Sequence, residues 1–518
     1  MRNSTLMKLL AIFFAFALVA AACGGDDDDG DAAGDDGDSV LTEEPADEPA
    51  DEPADEPADE PADEPADEPA DEEPMDDEEP MDDDMGGLAD DAIHGNGAAA
   101  FEAAINNPPG PADESLEPVR ITMANLEGDA LGSFPEIREG LEIAVEQINN
   151  DLGGIGGRPV EVDVCVHGFD PNAAINCGNE IAEAQPNLNI NGIEFFTPAL
   201  WPTFLGANVP TIQTVPIFVA DFTVEGNGIS VWGGCPVAFP GGATYTMETL
   251  GLQKVAVVYS NTPPGLECYA DTEERFWQYL VDNEAAGAEF IGVPDNSGDP
   301  SDNDAIVQQI ADFFGDTAAE DTGIFFGIQA SDCNEILSAI DAAGLQTRIV
   351  ASGSCIDDSV QANPAATGAQ FGQQGRISER PDLYDDYAAW ELTWREDHLD
   401  NSDLRSTPVS AFLRVGHSTG LLAWNVLNQM VADGEDIDDP NAVIAKFQNL
   451  ENIHIVGVPP VTCTDNTTEF PAVCKKTITY ATWDGSDWVL DAPLNGELIN
   501  VGDIQARVAA GNPRPAAG

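Results

Sequence analysis

The chain has 518 residues, with 96 aspartates and glutamates against 18 lysines and arginines, for a formal net charge of −78. That length accommodates two or three domains of ordinary size. So large a carboxylate excess excludes a nucleic-acid-binding protein, because phosphate contacts need cations.

Arg2 and Lys8, the apolar run 9–22 and the small residues before Cys23 make a signal peptide of residues 1–22, too short for a spanning helix. Val19-Ala20-Ala21-Ala22-Cys23 resembles the bacterial lipobox, with Ala20 where that motif prefers Leu. The resemblance implies a lipid anchor on Cys23, worth about 0.8 kcal/mol per buried methylene. Residues 23–117 read as a disordered acidic tether: EPAD repeats seven times over 44–71, EEPMDD follows twice, and no Lys or Arg lies between Cys23 and Arg120. Such a segment buries too little apolar surface to offset its ordering entropy, and its charges repel. Its prolines favour an extended spacer of about 3.1 Å per residue. A calcium sponge is the alternative reading. Residues 90–106 predict a short helix before Pro108-Pro109.

The head begins with strand 119–125. An amphipathic helix follows, with Leu141, Ile143, Ala144, Val145 and Ile148 inward and Glu139, Glu142, Glu146 and Gln147 outward. Gly153, Gly154, Gly156 and Gly157 break it, and Val160, Val162 and Val164 alternate along the next strand. This is a βαβ unit of a parallel sheet, whose ligands sit beyond the carboxyl ends of strands. Residues 127–134 therefore form a candidate binding edge. Strands at 188–193, 211–215, 229–232, 254–259, 289–293, 323–327 and 347–351 alternate with helices at 174–184, 200–207, 241–251, 271–283, 305–314 and 331–343. Long and short helices at 409–431 and 441–449 follow, then a hairpin of 477–483 and 488–492 turning at Asp484-Gly485. Two βα series predict two α/β lobes.

Setting Cys23 aside, eight cysteines remain, an even set that suggests disulfides in an exported chain. Sequence neighbours are the simplest pairs: Cys165 with Cys177, Cys235 with Cys268, Cys333 with Cys355, Cys463 with Cys474. Their spacing does not suggest zinc. His94, His167, His398, His417 and His454 are scattered, and neither HExxH nor GxSxG occurs. Residues 295–304 are acidic, yet Pro300 stands where an EF-hand needs glycine. The acidic head suggests a saline or divalent-rich setting. No metal, cofactor or catalytic constellation is expected, and an extracellular enzyme is disfavoured.

GLEIAVEQIN followed by GGIGGRPVEV, with DDPNAVIAKFQNL and the hairpin around YATWDG, resembles the type I periplasmic-binding-protein family, in its leucine/isoleucine/valine-binding branch. The resemblance spans about 119–500. It implies two lobes, each a parallel sheet flanked by helices, with lobe I at 118–240 and 372–474, lobe II at 241–371 and 475–505, and a tail at 506–518. Crossovers are expected near Gly241, 369–375 and Lys475. It further implies a lipid-anchored receptor on the outer face of the membrane. Such a receptor hands a small ligand to an ABC permease with separate ATPase subunits; a sensory ectodomain of a signalling receptor is the alternative.

Family ligand positions fall on Ser133 beside Phe134, on Phe195, Phe196 and Thr197, on Gln213, Thr214 and Val215, and on Pro264, Gln329, Ser352 and Ser354. The family's ammonium-binding acid has no counterpart at 352–354; Asp357 is nearest. A zwitterion left without an anion for its ammonium loses several kcal/mol. The expected ligand is therefore amino acid-like, an amide or an aromatic compound, held by apolar walls with sparse hydrogen-bonding groups.

Overall fold

The helix Pro135–Asn150 starts with Pro135, whose fixed φ suits a first turn, and ends before the glycine-rich loop. A computed structural model describes residues 91–129, 132–269, 273–296, 300–467 and 469–511. The signal peptide, Cys23 and the repeats lie outside the described residues. This helix bridges β1 (Val119–Leu126) and β2 (Val160–His167), which pair in parallel from Val119 opposite Val160 to Leu126 opposite His167. With β3 (Leu188–Asn191), β4 (Thr211–Gln213) and β5 (Gly228–Ile229) they form a parallel sheet in the order β2-β1-β3-β4-β5.

The second sheet has a parallel centre: β6 (Lys254–Ser260), β7 (Glu289–Asp295), β8 (Thr322–Gly327), β9 (Arg348–Ala351) and β10 (Gln370–Gln373), in the order β10-β9-β8-β6-β7. β11 (Ile453–Ile455) and β12 (Val458–Val461) make a separate antiparallel ribbon. β13 (Thr477–Trp483) then joins the free edge of β10 antiparallel, carrying β14 (Trp488–Leu490) and β15 (Ile499–Asn500). The second lobe is therefore mixed rather than parallel throughout. A hairpin turned by a few residues can only be antiparallel, whereas helical crossovers return strands in the same direction.

Each sheet is buried on both faces. Along β6, Val255 and Val257 enter one core and Ala256 and Val258 the other, the alternation that pleating imposes. In the first lobe the helices Pro135–Asn150 and Ala411–Asp433 cover one face. They meet at glycines. A Cβ on Gly140 would stand 2.1 Å from the Leu413 carbonyl oxygen, and one on Gly416 would stand 2.0 Å from that of Ile137. Helix Pro135–Asn150 is covered more widely than its stripe suggests. Glu139, expected to face water, is 1% exposed. Its carboxylate accepts backbone N–H bonds from Ser406 and Thr407, each at 3.1 Å, and the Thr407 hydroxyl at 2.8 Å. Gln147, likewise expected outward, accepts from His417 Nε2 through its Oε1 at 2.6 Å.

The end of the expected tether is also packed. Ala98–Asn106 is a helix, and Phe101 sits 5.3 Å from the rings of both Trp394 and His454. Composition placed it in the spacer; one aromatic and a run of alanines suffice to dock it. The helix Asp386–Asn401, which supplies Trp394, has no counterpart among the sequence-derived elements.

The four expected cysteine pairs are disulfides: Cys165–Cys177, Cys235–Cys268, Cys333–Cys355 and Cys463–Cys474, with Cα separations of 4.3–5.9 Å. Among the described residues the chain passes between the sheets near Trp232, Gln374 and Lys475, and these strands are cross-linked. Gly233 N–H donates to Gln374 Oε1 at 2.7 Å, and Cys474 N–H to the Ser230 carbonyl at 2.8 Å. Gly241, expected near the first crossing, lies inside the helix Cys235–Ala243, already in the second core.

Candidate functional site

The carboxyl ends of the two sheets face one cleft of about 310 Å³. From the first lobe come Phe134 after β1, Ile193 and Phe195 after β3, Val215 and Ile217 after β4, and Trp232 after β5. From the second come Ser260, Thr262 and Pro264 after β6, Ile328 and Gln329 after β8, Ser352 and Ser354 after β9, and Gln374 and Arg376 after β10. Strand ends in a parallel sheet cannot be covered by their own crossovers, which is why they line the opening.

The first-lobe wall is aromatic. Phe134 meets Phe195 at 5.9 Å and Phe412 at 5.5 Å between ring centroids, both edge to face. Such pairs leave ring faces for a ligand and hold their own geometry. The second-lobe wall is polar but largely self-satisfied. Ser352 and Ser354 hydroxyls lie 2.6 Å apart, and Ser354 donates to the Ile328 carbonyl at 2.7 Å.

Of the sequence-derived candidates, the cleft gathers Phe134, Val215, Phe195, Pro264, Gln329, Ser352 and Ser354. The others stand off its lining. Ser133 is exposed and its Oγ accepts the Gly128 N–H at 2.9 Å. Phe196 packs on Phe169 at 5.2 Å. Thr197 is fully buried beside the carboxyl of Asp221, which burial pushes up to about 6 against the hydrogen bonds it accepts. Gln213 belongs to a buried ladder: Thr122 donates to Asn189 at 3.0 Å, Asn189 to Asn191 at 3.2 Å, and Asn191 to Gln213 at 3.1 Å. Thr214 is fully buried and its hydroxyl has no hydrogen-bond partner. Asp357 caps the helix Asp358–Gln361 through the Ser359 N–H at 2.8 Å.

Sequence reasoning missed the charged corner of the cleft. Arg376, Glu379, Arg395 and Arg414 line it, with Phe412 and Trp232 on the apolar side. Arg414 was legible: it is the one arginine or lysine in the apolar-striped helix Ala411–Asp433. The acid on this lining is Glu379, and its Oε1 pairs with Arg414 at 2.7 Å. Groups of histidine, cysteine and acidic residues able to hold a metal do not occur among the described residues. No described helix is long and apolar enough to cross a membrane.

A family model described as periplasmic binding protein matches residues 123–471. No curated protein matches the chain. Among solved structures, a leucine-binding protein from Thermotoga maritima is 15% identical with TM-score 0.57, over 74% of this chain and 99% of that one. An ABC transporter substrate-binding protein from Sphaerobacter thermophilus is 20% identical with TM-score 0.55, over 71% and 93%. A fatty acid ABC transporter substrate-binding protein from Thermomonospora curvata is 16% identical with TM-score 0.56, over 76% and 94%. At these identities the likenesses show the fold.

Proposed function

Since the chain belongs to the periplasmic binding protein family, we propose that it is a lipid-anchored solute-binding protein of an ABC importer, working outside the cytoplasm. It captures a small ligand, amino acid-like, amide or aromatic, as two lobes close over the cleft. The observation that carries this reading is the cleft itself. Loops from the carboxyl ends of both sheets line it, and hydrogen-bonded crossing strands near Gly233, Gln374 and Cys474 sit beside it as a hinge. A few strand residues can absorb the rotation while each lobe moves as a packed body. The reading supplies no bond-making step. The permease and its ATPase subunits are separate chains.

The test is thermal unfolding of the full chain against amino acids, amides, aromatic acids and short peptides. A ligand at a hundred times its dissociation constant is expected to add about 2.7 kcal/mol of stability. The same ligand should reduce the radius of gyration in solution scattering. Stabilisation by no member of the panel overturns the reading. The anchor is tested separately: Cys23→Ser is expected to move the protein from the membrane fraction to the medium. A variant retained on the membrane refutes lipidation at Cys23.

A further inference from the structure

The apolar walls of the cleft end in the charged corner, and its arginines are not equally satisfied. Arg395 is 2% exposed and donates to Glu396 at 3.0 Å, to the Val456 carbonyl at 3.2 Å and to the Ser378 hydroxyl. Arg414 donates to both oxygens of Glu396 at 2.8–3.1 Å and pairs with Glu379. Arg376 differs. Its nearest carboxylate oxygen, on Glu391, is 3.9 Å away, beyond hydrogen-bond length. That carboxylate accepts the Gly457 N–H at 2.7 Å through Oε2, and His454 Nε2 stands 2.7 Å from its Oε1. A planar fork of five donors thus stands on the cleft, its side chain 12% exposed, with a protein anion near it but not bonded to it.

A second cation at the hinge points the same way. Lys475 is 1% exposed and its Nζ has no hydrogen-bond partner. Burial, and then the charge of Arg376, push its amine down to about 7. In a chain whose acids outnumber its bases 96 to 18, this corner gathers Arg376, Arg395 and Arg414 against Glu379, Glu391 and Glu396.

Resting on the reading of the cleft as a solute site, we propose that Arg376 receives the carboxylate of an amphipathic acid whose apolar body lies against Phe134, Phe195 and Phe412. Guanidinium and carboxylate match as two parallel N–H···O bonds, the arrangement that uses the fork fully. The acid carries no α-ammonium group. Glu379, the acid on this lining, is committed to Arg414, so an ammonium would be left among phenylalanines without a partner.

Calorimetry of the full chain with 3-phenylpropanoate, 3-phenylpropanamide and phenylalanine tests this on one apolar body. The acid is expected to bind on the order of tenfold or more tighter than the amide and the amino acid. Arg376→Gln should collapse the acid-to-amide ratio to within about threefold, Arg376→Lys should keep part of it, and the exposed Arg120→Gln should leave it intact. If Arg376→Gln does not fold, the wild-type ratio decides. Equal affinity for acid and amide overturns the proposal, as does tighter binding of phenylalanine; both leave the solute-binding reading standing. Silence from all three probes, with another solute bound, overturns the proposal alone. Silence from every solute in the wider panel overturns both.

Discussion

Gly416→Val is expected to cost about 5 kcal/mol or more, at the extreme for single substitutions, and to leave little folded first lobe. The helices Pro135–Asn150 and Ala411–Asp433 meet backbone to backbone. A Cβ at 416 would stand 2.0 Å from the Ile137 carbonyl oxygen and 2.9 Å from its carbon, and neither atom can rotate away. Overpacking against a side chain costs about 1–3 kcal/mol because rotamers give. Here the helices themselves must separate, and Leu421, Leu427 and Met430 lose their packing with the sheet. Gly206→Ala is the control. A Cβ there meets nothing within 4 Å, and removing a helical glycine should add about 0.5–1 kcal/mol. Denaturant unfolding of both variants, disulfides intact, decides. A Gly416→Val protein within about 1 kcal/mol of the parent would show that the helix seam yields.

Lys475→Met is expected to stabilise the protein at pH 7 by roughly 4 kcal/mol. Burial lowers the amine from 10.5 to about 7 in the folded chain. The sign follows from proton counts. Above pH 10.5 the lysine is neutral in both states and folding loses nothing. As pH falls toward 7, the unfolded chain takes up a proton that the folded chain refuses, so stability drops through that window. Below about 7 both states are charged and the penalty stays constant. Methionine fills similar volume without the amine. Unfolding free energies at pH 7 and pH 10.5 should therefore differ for the parent and converge with those of the variant at the upper value. A variant less stable than the parent at pH 7 would show that the amine makes a bond in solution.

The alternation of Val160, Val162 and Val164 and the stripe through Leu141 and Ile148 were enough to read a βαβ unit, because pleat and helix periods are local. Phe134 was legible for a related reason, as the end of the 127–134 edge beyond the first strand, and Phe195 through the family resemblance. Thr197 and Gln213 stand off the lining although they follow or end strands, because facing depends on what lies across the sheet, here Asp221 and Asn191. Arg376 was out of reach. Its significance comes from Glu391 being committed elsewhere, a fact about His454 and Gly457, many tens of residues away. Glu139 reads as a surface residue until the backbone of Ser406 and Thr407 arrives to bond it.

The docked helix Ala98–Asn106 decides how force travels. Asn96 pairs with Ile453, the Tyr387 hydroxyl donates to the Ala98 carbonyl at 3.3 Å, and Phe101 is wedged among Trp394, Trp424 and His454. A pull arriving from residues before 91 is therefore discharged into the first lobe. It ends there in shear on a helix face, on the near side of Gly233, Gln374 and Cys474. Under the proposed anchoring and closure, the first lobe would be the fixed jaw and the second the one that swings, and tension arriving before residue 91 would do no work on the angle between them.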